Sequence, residues 1–371
     1  MTSVAFHVDQ LFYRVPGGIG TYIRELLPAL REVDPTLDLT LFHARFDRPL
    51  PEPWMAGFPV KRLPQRIRAL YPGWAVAGKP TLPASLSSDI VHAPSPAAVP
   101  PPGRSQRLVV TVHDLAFRIY PSMFPPTWRH LFRLGLRRAV RTAAALVVPS
   151  RHTGADLVRL TAVDPSRIHV VPLAASLPAS AGDPGPELER LRIPRPYLLY
   201  VGTLEARKNL VRLVRAYRRA VATASIPHAL VLAGPLGWGA QALHRELRLP
   251  GPGQVLLTGR ATPQSLDALY RGAEAFLYPS LYEGFGLPVV EAMARGVPTI
   301  VSTSSSLPEV ADTDAIAVDP RSVPALAAAI ERVLTDPGEA TRLAEAGRVR
   351  AGSFSWERTA RSTLEVYEEV L

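Results

Sequence analysis

The chain has no cysteine among its 371 residues, which excludes a disulfide framework and any thiolate-bound metal. It also lacks an apolar run of the roughly 18 residues needed to span a bilayer. The segment Met1–Gln10 has neither a basic flank nor a long apolar stretch, so no secretory leader is expected there. The expectation is a cytoplasmic protein, either soluble or peripheral on the inner face of the plasma membrane. Lysine is scarce: Lys61, Lys79 and Lys208 are the only three. No short-period repeat is visible. The histidines show no metal-ligand spacing, and no recognised nucleic-acid module or aromatic-basic array is present. No metal and no cofactor is expected, and no nucleic-acid partner.

What remains is apolar enough to fold. Apolar residues make up 47% of the chain, unlike a disordered sequence, and the length favours two domains over one. Strand-like runs recur at Val4–His7, Leu37–Phe42, Leu108–Val112, Leu146–Pro149 and Ile168–Val171. They recur again at Tyr197–Val201, Leu230–Ala233, Val255–Thr258, Ala275–Tyr278 and Thr299–Ser302. Helical patterns lie between them, among them Gly20–Glu32, Thr127–Ala144, Leu210–Thr223 and Leu287–Arg295. Repeated β–α–β order predicts an α/β protein with two parallel sheets covered by helices. The division is residues 1–175, a Pro-, Gly- and Ala-rich linker at 176–196, a second domain at 197–354, and a terminal helix at 355–371. The stretch Arg45–Pro83, with scattered Pro, Gly and Trp, reads as irregular.

Charge is unevenly placed. The net charge is +10, yet residues 1–180 hold 21 Lys+Arg against 11 Asp+Glu, while 181–371 hold 21 of each. A compositional bias explains Arg in place of Lys, but not the scarcity of acids in one half. The first half therefore calls for an anionic partner.

Two segments carry chemistry. In Tyr278-Pro-Ser-Leu-Tyr-Glu283-Gly284-Phe285-Gly286-Leu287-Pro-Val-Val-Glu291, a strand ends, a glycine-bearing loop follows and a helix starts with Pro288 in its first turn. Exposed amides at such a helix start suit a phosphate, and Gly284 and Gly286 allow close backbone approach. Glu291, one turn in, leans back toward the N-terminus, where its carboxylate suits a vicinal diol such as a ribose offers. Glu283 suits the hydroxyls of a sugar beyond the phosphates. The plainer alternative is a strand–loop–helix turn with solvated glutamates. In Leu198-Leu-Tyr-Val-Gly202-Thr203-Leu-Glu-Ala-Arg207-Lys208-Asn209, a strand runs into a turn and two cations sit at the mouth of the next helix. Arg offers a planar fork and Lys a compact charge for phosphate oxygens. Gly17 and Gly18 follow the first strand, but Ile23 stands where a Gly-x-Gly-x-x-Gly fingerprint needs its third glycine, so a dinucleotide site is excluded.

Glu283, seven residues, then Glu291, with Arg207-Lys208 upstream, resembles the family-4 retaining glycosyltransferases of the GT-B fold. The similarity extends to Pro16-Gly17-Gly18-Ile19-Gly20, Val112-His113-Asp114-Leu115 and Leu307-Pro308-Glu309-Val310. The wording around Gly202 is similar to the bacterial mannosyltransferase-B-like subgroup. The resemblance implies two Rossmann-like domains facing an interdomain cleft, with the terminal helix 355–371 crossing back to the first. It implies transfer of a hexose, mannose favoured, from a nucleotide diphosphate sugar to a glycan or lipid-linked acceptor. GDP-mannose is the favoured donor, with a UDP- or dTDP-sugar as alternatives. Arg207 and Lys208 would neutralise the leaving diphosphate. Glu283 would hold the sugar and Glu291 the ribose. Backbone amides of Phe285, Gly286 and Leu287 would meet the distal phosphate, and Gly259-Arg260 the nucleobase. His113 would approach the donor sugar, the alternative being a histidine paired with Asp114 or backbone. Gly17 and Gly18 would lie near the donor phosphate, or serve only as a tight turn. Many members carry Arg directly after Gly202; here it is Thr203, and Arg207 is expected to supply that charge. Asp312-Thr-Asp314 looks like a metal-binding Asp-x-Asp, but in this family it falls at a helix-to-strand turn.

Arg129, Arg133, Arg137 and Arg141 recur every fourth residue of the helix expected at Thr127–Ala144, with Phe132, Leu136, Ala139 and Ala143 on another side. Such a basic amphipathic helix suits an anionic membrane surface, or is an ordinary helix with solvated arginines. Two other functions fit the same architecture: a sugar-nucleotide epimerase and a catalytically inactive sugar-nucleotide-binding protein.

Overall fold

Short, uniformly apolar strands cannot sit in a sheet with one face in water; they call for parallel sheets covered on both faces. The computed structural model describes residues 2–176 and 182–371, and the chain divides into two units. Unit 1 runs to Leu173 and includes Ser355–Leu371; unit 2 is Ala174–Phe354.

Unit 1 holds β1 (Ser3–His7), β2 (Asp38–His43), β3 (Val60–Arg62), β4 (Ile90–Ala93), β5 (Arg107–Thr111), β6 (Ala145–Val148) and β7 (Ile168–Val170). They form one parallel sheet in the order β3-β2-β1-β4-β5-β6-β7. Val4 pairs with Leu39 on one side and with Ile90 on the other, and every residue of β4 and β6 is buried. Helix Gly17–Val33 buries Tyr22, Ile23, Leu26, Leu27 and Leu30, the spacing of one helical face. The terminal helix Trp356–Val370 starts where Ser355 Oγ accepts from the Arg358 amide at 3.2 Å. It packs along Gly17–Val33, and Thr359 Oγ1 donates to the Pro172 carbonyl at 2.7 Å.

Unit 2 repeats the plan with β8 (Tyr197–Val201), β9 (Ala229–Ala233), β10 (Val255–Gly259), β11 (Ala275–Tyr278), β12 (Thr299–Ser302) and β13 (Ile316–Val318). Its parallel order is β10-β9-β8-β11-β12-β13. Each sheet reverses its strand order beside its first strand, between β1 and β4 and between β8 and β11. Ligands of open α/β sheets bind at that crevice, beyond the strands' carboxyl ends.

Two expectations need correction. Residues 45–83 are not irregular throughout: β3 extends the sheet edge, and Ile67–Pro72 and Gly73–Ala77 are helical turns that bury Leu70, Tyr71 and Trp74. Proline and glycine there end turns without preventing them. The stretch expected as a linker at 176–196 holds helix Gly185–Arg190, which buries Leu188 and packs on helix Pro263–Arg271. Its Glu187 accepts from Ser265 Oγ at 2.5 Å. Residues 177–181 lie outside the described residues.

Candidate functional site

The loops after β8 and β11, on either side of the crevice in unit 2, bring Arg207, Lys208 and Glu283 together. Lys208 closes a one-turn helix, Ala206–Lys208, before Asn209 takes a left-handed conformation and starts the next helix. Asn209 Nδ2 donates to the carbonyls of Pro279 and Pro320 at 3.0 and 2.6 Å, tying the β8 loop to the β11 loop. Lys208 is 7% exposed and Glu283 6%. Lys208 Nζ donates to Glu283 Oε1 at 2.6 Å and to Tyr278 Oη at 2.9 Å. Arg207 Nη1 donates to Glu283 Oε2 at 2.9 Å and to the Tyr282 carbonyl at 2.5 Å, and Nη2 donates to Glu205 Oε1 at 2.8 Å.

Burial alone would raise the Glu283 carboxyl. Arg207 and Lys208 outweigh it and hold the group at about 2, so it is a carboxylate at neutral pH. Its backbone is pinned as well: Ser305 Oγ accepts from the Glu283 amide at 2.8 Å, and Ser306 Oγ donates to the carbonyls of Glu283 and Phe285 at 3.0 Å each.

Gly284, Phe285 and Gly286 carry the chain into helix Leu287–Ala294. Gly286 has φ +112°, and a Cβ there would stand 2.7 Å from Leu307 Cδ2. Conformation and space both require glycine. Pro288 brings no amide and the Val289 amide donates to the Gly286 carbonyl at 2.9 Å, so of the first turn it is the Leu287 amide that has no partner within the helix. Glu291, buried one turn in, accepts from Ser176 Oγ and Tyr270 Oη at 2.9 Å each. Burial raises its carboxyl above the ordinary range, against those two bonds. Arg295 bonds the Glu291 backbone carbonyl and turns its own charge to Asp267. A carboxylate held by two hydroxyls is already arranged as a diol would hold it.

Gly202 and Thr203 close β8, next to the cluster. Gly259 and Arg260 close β10, two strands away, and the Gly234 amide donates to the Gly259 carbonyl at 2.9 Å. Asp312–Asp314 form a short turn, and no group of three potential metal ligands gathers among the described residues.

In unit 1, Gly17 has φ +62° and opens helix Gly17–Val33, followed by Gly18. Gln10 Nε2 closes the preceding loop on the Pro16 carbonyl at 2.7 Å. His113 follows β5 and sets its ring edge-on to Tyr22, centroids 4.8 Å apart. Burial lowers its imidazole to about 4, against a bond to the Pro94 backbone. Its buried Nε2 has no hydrogen-bond partner among the described residues. Asp114 accepts from the Ala116 amide at 2.9 Å. Behind His113 runs a buried chain: Tyr22 Oη meets Thr111 Oγ1 at 3.0 Å, Thr111 Oγ1 meets His92 Nε2 at 2.8 Å, and His92 Nδ1 meets Tyr367 Oη at 2.6 Å.

On helix Pro126–Thr142, Arg133, Arg137 and Arg141 are exposed. Arg129 is half-buried and donates to the Pro121 carbonyl at 3.2 Å, so the stripe is three arginines in water and one tied to its own loop. Arg138, off the stripe, is buried and donates to the Val99 carbonyl at 3.2 Å. No helix among the described residues is long and apolar enough to cross a membrane.

Sequence reasoning missed Tyr278, Ser305 and Ser306, which buttress Glu283, and Glu205, which shares Arg207. It also missed Tyr270 and Ser176 on Glu291, and the chain from Tyr22 to Tyr367. A charge two residues from Arg207 and a tyrosine five residues before Glu283 were readable signs; the others come from distant positions.

Residues 188–350 match the family described as Glycosyl transferases group 1, and residues 16–177 the one described as Glycosyltransferase Family 4. The chain is 32% identical over 272 residues to the O-antigen chain mannosyltransferase B of Escherichia coli, covering 72% of this chain and 71% of that one. It is 32% identical over 240 residues to the MMP alpha-(1->4)-mannosyltransferase of Mycolicibacterium hassiacum, covering 63% of this chain and 56% of that one. The sucrose-phosphate synthase of Thermosynechococcus elongatus superposes with a TM-score of 0.75 at 22% identity, over 100% of this chain and 99% of that one. That last likeness is one of fold.

Proposed function

The chain belongs to the family-4 glycosyltransferases, and from that premise we propose that it is a retaining hexosyltransferase using a nucleotide diphosphate sugar, with GDP-mannose as donor. The observation that carries this reading is the cluster of half-buried Arg207 with buried Lys208 and Glu283 beside the start of helix Leu287–Ala294, at the crevice of unit 2. Mannose is supported by the two mannosyltransferases to which the chain is similar. The acceptor is a growing bacterial glycan or its lipid-linked precursor.

In this reading the bond from the sugar's anomeric carbon to the distal phosphate oxygen breaks, and the acceptor hydroxyl forms its bond on the same face. The hydroxyl proton passes to the departing phosphate oxygen, leaving a nucleoside diphosphate. Negative charge grows on that oxygen. Lys208, Arg207 and the amides of Phe285, Gly286 and Leu287 stabilise it from fixed positions. Glu283 holds hydroxyls of the hexose, Glu291 exchanges the hydroxyls of Tyr270 and Ser176 for those of the ribose, and Gly259-Arg260 lies against the base. Within unit 1, His113, uncharged above about pH 4, suits a sugar hydroxyl, and the Gly17-Gly18 turn suits a phosphate or serves only as a tight turn. The exposed arginines Arg133, Arg137 and Arg141, with Arg129, dock the protein on the anionic inner face of the plasma membrane.

Thermal shift across nucleotide sugars tests the donor: a ligand at 100 times its Kd adds about 2.7 kcal/mol of stability, expected first for GDP-mannose. The anomeric configuration of the product, read by NMR, tests retention. An inverted linkage, or donor turnover to a second sugar nucleotide without glycosylated acceptor, would overturn this reading.

A further inference from the structure

The cations that the donor reading assigns to the diphosphate are already engaged. Lys208 and Arg207 share the Glu283 carboxylate, and Arg207 turns its Nη2 edge to Glu205. The four side chains, two cations and two carboxylates, sum to no net charge. A dianionic or trianionic ligand approaching such a cluster gains little attraction until one carboxylate gives way.

The two carboxylates differ in how they are held. Glu283 accepts from both cations, and its loop is bolted by Ser305 and Ser306. The Glu205 side chain bonds only Arg207 among the described residues, at 2.8 Å and with its side chain 18% exposed. Its backbone is fixed: the Glu205 amide donates to the Thr203 carbonyl at 3.0 Å, the Glu205 carbonyl accepts from the Lys208 amide at 3.0 Å, and the next amide, Ala206, donates to the Trp238 carbonyl at 3.0 Å. Rotation of the Glu205 side chain toward solvent therefore parts this ion pair without moving the loop. The Nη1 edge keeps its bonds to Tyr282 and Glu283, so Arg207 stays aimed.

We propose that Glu205 is a displaceable counter-ion of Arg207, exchanged for a phosphate oxygen when a nucleoside diphosphate binds and returned when it leaves. The exchange keeps the guanidinium paired in both states. It weakens the hold on the nucleoside diphosphate, because each bound state must part an ion pair, and so speeds product release. This inference rests on the donor reading above and adds to it the control of affinity at that site.

The test is calorimetric titration of the full chain with GDP and with UDP, comparing wild type, Glu205→Gln, Glu205→Ala and Glu205→Asp. Removing the charge is expected to tighten nucleoside diphosphate binding about tenfold, since a like charge facing the ligand is gone. Both the donor KM and kcat should fall if release limits turnover. Glu205→Asp keeps the charge and should stay within a few-fold of wild type. Unchanged or weaker binding by folded Glu205→Gln and Glu205→Ala proteins would overturn the proposal. So would failure of both to fold, because a group that the ligand displaces is not one the fold requires. A wild type that binds neither GDP nor UDP would instead overturn the donor reading itself, taking this proposal with it.

Discussion

The two units share the order of six strands, with β7 added at the edge of unit 1, and use it for opposite electrostatics. At its crevice unit 2 holds a cluster of formal charges, buried Lys208 and Glu283 with half-buried Arg207 and Glu205. Unit 1 buries a neutral chain, Tyr22–Thr111–His92–Tyr367, behind His113. Desolvation acts on both, and the difference lies in what opposes it. In unit 2 two cations overrule burial and keep Glu283 ionised. In unit 1 the buried acid Asp9 pairs with His7, and no acid among the described residues opposes burial at His92 and His113, which are lowered to about 3 and about 4. The same contrast recurs within unit 2. Glu283, with two cations, is lowered, whereas Glu291, with two hydroxyls, is raised. A parallel-sheet crevice does not decide its own polarity; the few side chains lent by neighbouring loops do.

The largest break in the comparison comes from making unit 2 resemble unit 1. Glu283→Gln leaves buried Lys208 without a carboxylate and half-buried Arg207 with Glu205 alone, and removing one member of a buried pair costs about 3–5 kcal/mol. Urea unfolding should show that loss, and kcat/KM should fall by at least about a hundredfold, beyond the effect of stability. Wild-type stability in this variant would mean that the cations are solvated in solution.

The unit 2 cluster was legible because its parts are compressed into two short segments on strand–loop–helix joints, where sequence neighbours remain spatial neighbours. Arg207, Lys208, Glu283 and Glu291 all lie there. The unit 1 chain was not legible. His92 sits inside the apolar strand Ile90–Ala93 and reads as core, and its partner Tyr367 is 275 positions away. Nothing local marks either. Helix and strand identities were mostly readable from apolar periodicity, since both sheets are parallel and buried. Residues 45–83 were misread because Pro and Gly break long elements but still permit the single turns seen there.

Acidification should separate the units next. His92 and His113 have folded values below the ordinary 6.5, so their contribution is present above that pH. It is lost as pH falls from about 6.5 toward 4 for His113 and toward 3 for His92. Between pH 6.5 and 5 this amounts to about 2 kcal/mol for each. The Glu283 contribution is lost lower, between about 4.5 and about 2, and Glu291, raised, shifts in the opposite sense. Stability should thus decline from pH 7 to 5, and His92→Gln should flatten that slope. Glu283→Gln should leave the slope alone. An unchanged slope in His92→Gln would show that His92 is not the group titrating.

Tyr367→Phe is a smaller cut in the same chain. It takes the partner from His92 Nδ1 and leaves a buried polar atom, at about 1–3 kcal/mol. If the chain orients His113 through Thr111 and Tyr22, kcat should fall several-fold while the donor KM holds, and the acid limb of the pH–rate profile should move. A loss of stability with kcat and pH profile both unmoved would make the chain a fastening of the terminal helix and nothing more.

The smallest expected effect on the folded state lies on the surface, where the units differ in net charge. Replacing exposed Arg133, Arg137 and Arg141 by Gln, with Arg129, removes no core contact, so stability should stay within about 0.5 kcal/mol. Arg138 is left in place because it is buried on the Val99 carbonyl. Vesicles containing anionic lipid should nevertheless bind the wild type at low salt and release it toward 1 M, where screening shortens to about 3 Å. The quadruple variant should bind markedly less than a control with four exposed arginines of unit 2 replaced, because unit 2 holds 19 Lys+Arg against 17 Asp+Glu, a near balance. Turnover of a short soluble acceptor should barely change, since these side chains are assigned to docking and not to transfer. Equal vesicle binding by the stripe variant and the wild type would remove the membrane from the argument. The positive charge of unit 1 would then have to be met by the acceptor, and the same variant would raise the KM of an anionic, diphosphate-linked acceptor while leaving that of a neutral one alone.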